Sequence, residues 1–248
     1  RVGKVALFIG CIMGAGFANT HQATIRVLTR NGWEVEVPDG QICCGALHIH
    51  SGDRGYGREM AKRNILAFER SDADYIVVNA AGCGSQLKEY GALLHQDPAW
   101  AERAERFVAR VRDVTELLAM RPLRGPLAPI GQKMTYQEPC HLAHGQRIKN
   151  PPRDLLRQIP GLTLVEMHDS DKCCGSAGIY NVLQPESSSA LLDEKMMNIE
   201  DTGDSLCATA NVGCYVQLQA GIKRHGWQGR LAHVVEWLDD SYRRAKPP

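Results

Sequence analysis

The chain contains nine cysteines, and eight of them fall into two sets with nearly the same internal spacing: Cys11, Cys43, Cys44 and Cys83, then Cys140, Cys173, Cys174 and Cys214. Corresponding members lie 129, 130, 130 and 131 residues apart, and each adjacent pair is followed by a glycine, Gly45 or Gly175. A fixed period of this kind marks a duplicated structural unit. Any fold must therefore be built twice. If the cysteines act together, each copy must also gather three distant segments at one place.

Disulfides suit small secreted chains without a core, whereas 248 residues with 44% hydrophobic content can fold without staples. Adjacent cysteines bridge each other poorly, because the shared planar peptide would have to distort. Both can point into one site if the backbone bends, and Gly45 and Gly175 allow that bend. No stretch is long and apolar enough to span a membrane and no secretory segment precedes Val2, so a reducing, cytoplasmic setting is expected, where grouped cysteines signal metal or redox chemistry. A net charge of +1 and 6% aromatic residues give no case for nucleic acid. Arg1 runs straight into an apolar stretch, which suggests a processed chain or a piece of a longer one.

Apolar runs predict strands at Val2–Ile9, Trp33–Val37 and Tyr75–Asn79, and helical spacing predicts helices at Asn19–Arg30, Arg58–Arg70 and Ser85–Leu94. The second half repeats the plan, with strands at Lys133–Gln137, Leu162–Glu166 and Leu206–Ala210. Its helices are predicted at Arg153–Gln158, Pro185–Asn198 and Tyr215–His225. Alternating strands and helices imply an α/β fold with mostly parallel sheets flanked by helices. The cysteines then fall at or just beyond the carboxyl ends of strands, the edge where open α/β sheets build sites. The breaker-rich segment 121–126 separates a first half, 1–120, from a second, 127–248.

Four cysteines converging from three loops satisfy either tetrahedral zinc or an iron–sulfur cluster, and spacing alone leaves both open. Longer strings narrow the field: Cys43-Cys44-Gly45-Ala46-Leu47-His48, Val78-Asn79-Ala80-Ala81-Gly82-Cys83, Cys140-His141-Leu142-Ala143-His144 and Cys173-Cys174-Gly175-Ser176-Ala177-Gly178. With these, the chain resembles the CCG, or cysteine-rich, domain pair of the heterodisulfide reductase-like superfamily, and within it the iron–sulfur subunits of glycolate oxidase.

That resemblance implies two duplicated CCG half-domains. It implies that Cys11, Cys43, Cys44 and Cys83 hold one centre and Cys140, Cys173, Cys174 and Cys214 another, as [4Fe–4S] clusters with zinc an alternative in one half. It further implies electron transfer from a flavin-containing 2-hydroxy acid dehydrogenase subunit toward quinone, with any attachment to the inner membrane peripheral and through partners. The family subunit also carries an N-terminal ferredoxin-like segment, which this sequence lacks and which would have to come from another segment or subunit. Reductase members add a fifth cysteine in a CxxC pair. Here those strings read Ala80-Ala81-Gly82-Cys83 and Asn211-Val212-Gly213-Cys214, which favours four-cysteine centres over a five-cysteine noncubane one. Two other classes stay open: a catalytic cluster that cleaves a disulfide, and a zinc-stabilised docking module.

Other residues carry plainer readings. Cys207 sits in a strand pattern and reads as core. His141 and His144 beside Cys140, and His48 and His50 after Cys44, are candidates to tune a centre through hydrogen bonds, against the plain reading of structural or exposed rings. Asn79 and Asn211 read first as helix caps, and second as donors to cluster sulfur. Gly10–Gly16 does not have dinucleotide-loop spacing. Lys149–Arg153 reads as a solvated turn.

Overall fold

A computed structural model describes residues 2–245, so Arg1 and the expectation drawn from it lie outside the described residues. The first half runs β1 (Gly3–Phe8), α1 (Ile12–Gly16), α2 (Ala18–Arg30), β2 (Trp33–Glu36), α3 (Ala46–His50), α4 (Arg54–Glu69) and β3 (Tyr75–Val78). It continues with α5 (Ala81–Lys88), α6 (Tyr90–Leu94), α7 (Ala101–Arg110), β4 (Val111–Asp113) and α8 (Val114–Ala119). The second half runs β5 (Lys133–Tyr136), a π-helical turn (His141–Gly145), α9 (Asn150–Arg157), β6 (Thr163–Val165), α10 (Tyr180–Leu183) and α11 (Pro185–Glu200). It ends with β7 (Leu206–Thr209), α12 (Val212–His225), β8 (Arg230–His233) and α13 (Val234–Arg244). Residues 121–126 carry neither helix nor strand.

The strands form two four-stranded parallel sheets, ordered β2-β1-β3-β4 and β6-β5-β7-β8. The runs Val5–Phe8 and Ile76–Val78 are fully buried because helices cover both faces of the sheet. In each sheet the order reverses between the first strand and the third, β1 and β3 or β5 and β7. The crevice at their carboxyl ends is where such sheets bind ligands. Cys11 and Cys83 flank it in one half, Cys140 and Cys214 in the other.

The halves interlock. One core joins Val5, Leu7 and Val77 of the first sheet to Met134, Tyr136 and Ala208 of the second. Helix α13 lies against α2, where Arg26 donates to both carboxylate oxygens of Asp239 at 2.8 and 2.6 Å and Thr20 donates to Glu236 at 2.8 Å. In the reciprocal contact, α8 of the first half lies against α9 of the second. Helices α8 and α13 both start with a capping box, Asp113 with Glu116 and His233 with Glu236.

Several expectations need correction. The expected helix at Ser85–Leu94 is two helices, α5 and α6, and α5 begins at Ala81. Helix α12 likewise begins at Val212 rather than Tyr215. Both starts were hidden because Gly82 and Gly213 in the first turns read as breakers. Lys149–Arg153 is no solvated turn: α9 begins at Asn150 with prolines at its first positions, and Arg153 is nearly buried between Glu138 and Glu166. The edge strands β4 and β8, with α7, α8 and α13, had no predicted counterpart.

Candidate metal centre at the seam of the two halves

Each half delivers its cysteines in the same way. Cys11 follows β1, Cys43 and Cys44 lie in the loop before α3, and Cys83 is the third residue of α5. Cys140 precedes the π-helical turn, Cys173 and Cys174 lie in the loop before α10, and Cys214 is the third residue of α12. Cys83 and Cys214 therefore sit inside the first turn of their helices. Gly45 and Gly175 adopt φ of +84° and +88°, which turns the chain right after each cysteine pair. All eight cysteines line a single cavity of about 320 Å³ between the halves.

Within each half the thiols lie within interaction range of one another in series. Cys11 Sγ lies 3.4 Å from Cys43 Sγ, Cys43 contacts Cys44, and Cys44 contacts Cys83. In the second half Cys140 contacts Cys173, Cys173 contacts Cys174, and Cys174 contacts Cys214. Backbone N–H groups donate to two of the sulfurs, Gly45 to Cys43 at 3.5 Å and Gly175 to Cys173 at 3.3 Å. All nine cysteines are free, and Cys207 is buried in the core of the second half, its thiol pushed up to about 12 by burial.

Crowding decides the protonation of these thiols. Contact with Cys173 and burial push Cys140 well up, and contact with Cys173 and Cys214 does the same to Cys174. Cys173 is pulled down because it accepts from Cys140 and Cys174, and Cys214 because it accepts from Cys174 and then from Asn211. In the first half, burial and then the Cys43 contact raise Cys11, and contact with Cys44 and then burial raise Cys43. Like charges this close disfavour one another, and a bound cation would offset that repulsion. An all-sulfur donor set that ionises fully only around positive charge fits a thiophilic metal centre. Among the described residues, no three or more His, Cys, Asp or Glu side chains are drawn together into a ready-made cage for one ion.

The other candidates divide sharply. His141 lies on the cavity wall with Nδ1 3.7 Å from Cys140 Sγ, and His50 faces it at a ring separation of 6.0 Å. His144 instead meets Asp171, and His48 packs on Tyr56 near Asp53, both away from the cavity lining. Asn79 caps nothing: its amide donates to Thr24 at 2.9 Å and meets His21 at 3.2 Å behind the cavity. Asn211 holds the N-cap position of α12 but does not cap it. Its Nδ2 donates to Cys214 Sγ at 3.3 Å, and its Oδ1 accepts from Gly82 N–H of the first half at 3.1 Å. The expectation of capping is thus replaced by a hydrogen bond to sulfur. Sequence reasoning missed Gln137, Ser176 and Lys195 near the second set. Setting the two halves side by side at the cysteine offsets would have exposed the first two.

A model of the cysteine-rich domain family, CCG, matches residues 5–88 and again 134–219. A relative named "Probable glycolate oxidase iron-sulfur subunit", from Bacillus subtilis (strain 168), is 42% identical over 239 residues, covering 95% of this chain and 54% of the relative. A "Lactate utilization protein A" from Shouchella clausii (strain KSM-K16) is 33% identical over 240 residues, covering 95% of this chain and 98% of the relative. The chain thus spans about half of the first relative and nearly all of the second. A crystal structure of a hypothetical protein from Helicobacter pylori superimposes with a TM-score of 0.70 at 10% identity, over 99% of this chain and 50% of that one, a likeness of fold alone. The duplication first visible in the cysteine spacing is therefore a repeated family unit, and the chain belongs to the cysteine-rich CCG domain family, with two copies of the domain.

Proposed function

We propose that this chain is the iron–sulfur module of an oxidoreductase that oxidises a 2-hydroxy acid such as glycolate or lactate. The observation that carries the reading is the convergence of eight cysteines, four from each half, on one cavity. The names of the two relatives, one an iron–sulfur subunit of a glycolate oxidase and the other a lactate utilization protein, support the substrate class.

Cys11, Cys43, Cys44 and Cys83 would hold one [4Fe–4S] centre, and Cys140, Cys173, Cys174 and Cys214 the other. Bound there, the clusters supply one-electron storage and transfer. The chain's own residues place the sulfurs. Asn64 accepts from Ile42 N–H at 2.8 Å and donates to the Cys43 carbonyl at 3.0 Å, while Tyr90 donates to the Cys44 carbonyl at 2.8 Å, fixing the first cysteine loop. Ser188 donates to the Gly175 carbonyl at 2.9 Å and fixes the second.

The electron donor in this proposal is a flavin-containing dehydrogenase subunit and the final acceptor is quinone, with a ferredoxin-like segment or subunit completing the path. Exposed Ile12, Leu47 and Val216 at the mouth of the cavity suit a surface that a partner covers. Among the described residues no helix is long and apolar enough to cross a membrane. The proposal places the chain on the cytoplasmic side, reaching the inner membrane through its partners.

The test is to purify the chain without oxygen, measure iron, sulfide and zinc, and record the electron paramagnetic resonance spectrum after reduction. About eight irons and eight sulfides per chain, the content of two [4Fe–4S] centres, is the expected result. Zinc without sulfide would overturn the redox reading.

A further inference from the structure

The two cysteine sets are alike, but their walls are not. Through the duplication, Phe8 corresponds to Gln137, Ile12 to His141, Ala46 to Ser176 and Ala80 to Asn211. The sheets fix this correspondence, since Leu7 pairs with Val77 just as Tyr136 pairs with Ala208. All four positions are apolar in the first half and polar in the second.

The polar side chains act on the sulfurs. Asn211 donates to Cys214 Sγ at 3.3 Å, His141 Nδ1 stands 3.7 Å from Cys140 Sγ, and Gln137 lies within interaction range of Cys214. The Gln137 amide is itself held, its oxygen accepting from Thr209 at 2.7 Å. A further contrast lies behind the cysteines. The eleventh residue of α11 is Lys195, fully buried, with Nζ donating to the Asp169 and Ser170 carbonyls within electrostatic reach of Cys174 and Cys214. The eleventh residue of α4 is the neutral Asn64.

We propose that the two centres are electronically inequivalent, the second-half centre having the higher reduction potential, and that Asn211 is the main cause. The proposal rests on the iron–sulfur reading above. Hydrogen bonds to cluster sulfur stabilise the added negative charge of the reduced state and raise the potential, as does nearby positive charge. Solvent acts the other way, since Cys11 is exposed and Cys83 half-buried whereas their counterparts Cys140 and Cys214 are half-buried and buried. That opposing effect is a difference of degree at two sulfurs, while the donors of the second half act on sulfur directly. Asn211 is the strongest of them because it is pinned: its oxygen is held by Gly82 N–H across the seam at 3.1 Å, so its N–H stays aimed at Cys214. Ala80, at the equivalent place, has nothing to donate. A chain reduced by a single electron then keeps that electron in the second half.

The test isolates each centre in the whole 248-residue chain. Cys44→Ser leaves only the second-half centre and Cys174→Ser only the first. Each is titrated with dithionite under electron paramagnetic resonance. The expected result is a higher midpoint for the second-half centre, lowered by Asn211→Ala to the extent of about a tenfold change in the ratio of reduced to oxidised centre at fixed potential, or about 59 mV for one electron. The reciprocal change Ala80→Asn, made with the first-half centre alone, raises that midpoint and does not depend on how the seam tolerates loss of Asn211. Equal midpoints in the two isolated centres, or midpoints unmoved by both substitutions at unchanged iron content, would overturn the proposal. A chain that binds no iron and sulfide overturns the iron–sulfur reading instead. Inequivalence is then decided by loading cobalt(II): the proposal survives only if Asn211→Ala shifts the thiolate charge-transfer band of the second half and leaves that of the first.

Discussion

Asp113 and His233 occupy the same structural position in the two halves, each accepting a backbone N–H at the start of the helix that crosses to the other half, and each sealed from solvent. Burial pushes the Asp113 carboxyl up to about 6 and the His233 imidazole down to about 4. Against unfolded values of about 3.9 and 6.5, the signs oppose. As pH falls through this window the native state gains a proton at Asp113, which is stabilising, while the unfolded chain gains one at His233, which is destabilising. Asp113→Asn keeps the acceptor but removes the first effect. The variant is expected to lose about 1 kcal/mol more than the parent between about pH 7 and pH 5, read by urea unfolding.

The separateness of the two cysteine sets can be tested by content alone. Cys44→Ser and Cys174→Ser are each expected to remove about half of the iron and sulfide and leave the rest, because each set touches only its own members. Loss of all iron from a folded single variant would mean that the sulfurs bind one shared centre.

The paired glycines differ in tolerance. A Cβ on Gly45 would lie no closer than 3.5 Å to its neighbours, so Gly45→Ala costs roughly the 1–2 kcal/mol of the left-handed backbone. A Cβ on Gly175 would meet the Ser188 carbonyl oxygen at 2.4 Å, a backbone atom that cannot step aside. Gly175→Ala is expected to lower the melting temperature more than Gly45→Ala and to deplete the second-half centre selectively.

Arg153 holds Glu138 at 3.1 Å and Glu166 at 2.8 Å, with Glu138 almost wholly buried. Arg153→Met strands that carboxylate and is expected to cost about 3–5 kcal/mol in chemical denaturation. Adding Glu138→Gln to the same chain recovers part of the loss. A double variant no more stable than the single one would show that Glu138 is not what the arginine neutralises.

What could be read in advance follows from range. The runs Val5–Phe8 and Leu206–Thr209 announce buried strands because helices cover both faces of a parallel sheet. The cysteine period is legible because the two halves deliver their thiols from matching places in matching folds. Strands β4 and β8 escaped notice because each is only three or four residues long and carries an arginine, Arg112 or Arg230. Donation to sulfur stood second to capping for Asn211, with Cys214 only three residues on, but its pinning by Gly82, 129 residues away, could not be read locally. Capping is a local rule, and here a tertiary hydrogen bond displaced it.

The crossing of α13 onto α2 bears on how the chain is made. Its contacts join residues 213 and 216 apart in sequence, so a growing polypeptide emerges with the outer face of α2 uncovered until nearly all of the second half has been translated. The first half can form its sheet early but cannot be sealed early. During that interval it offers an apolar surface to chaperones and to neighbouring nascent chains, and the closing step of biogenesis belongs to a helix encoded more than 200 codons downstream of the one it covers.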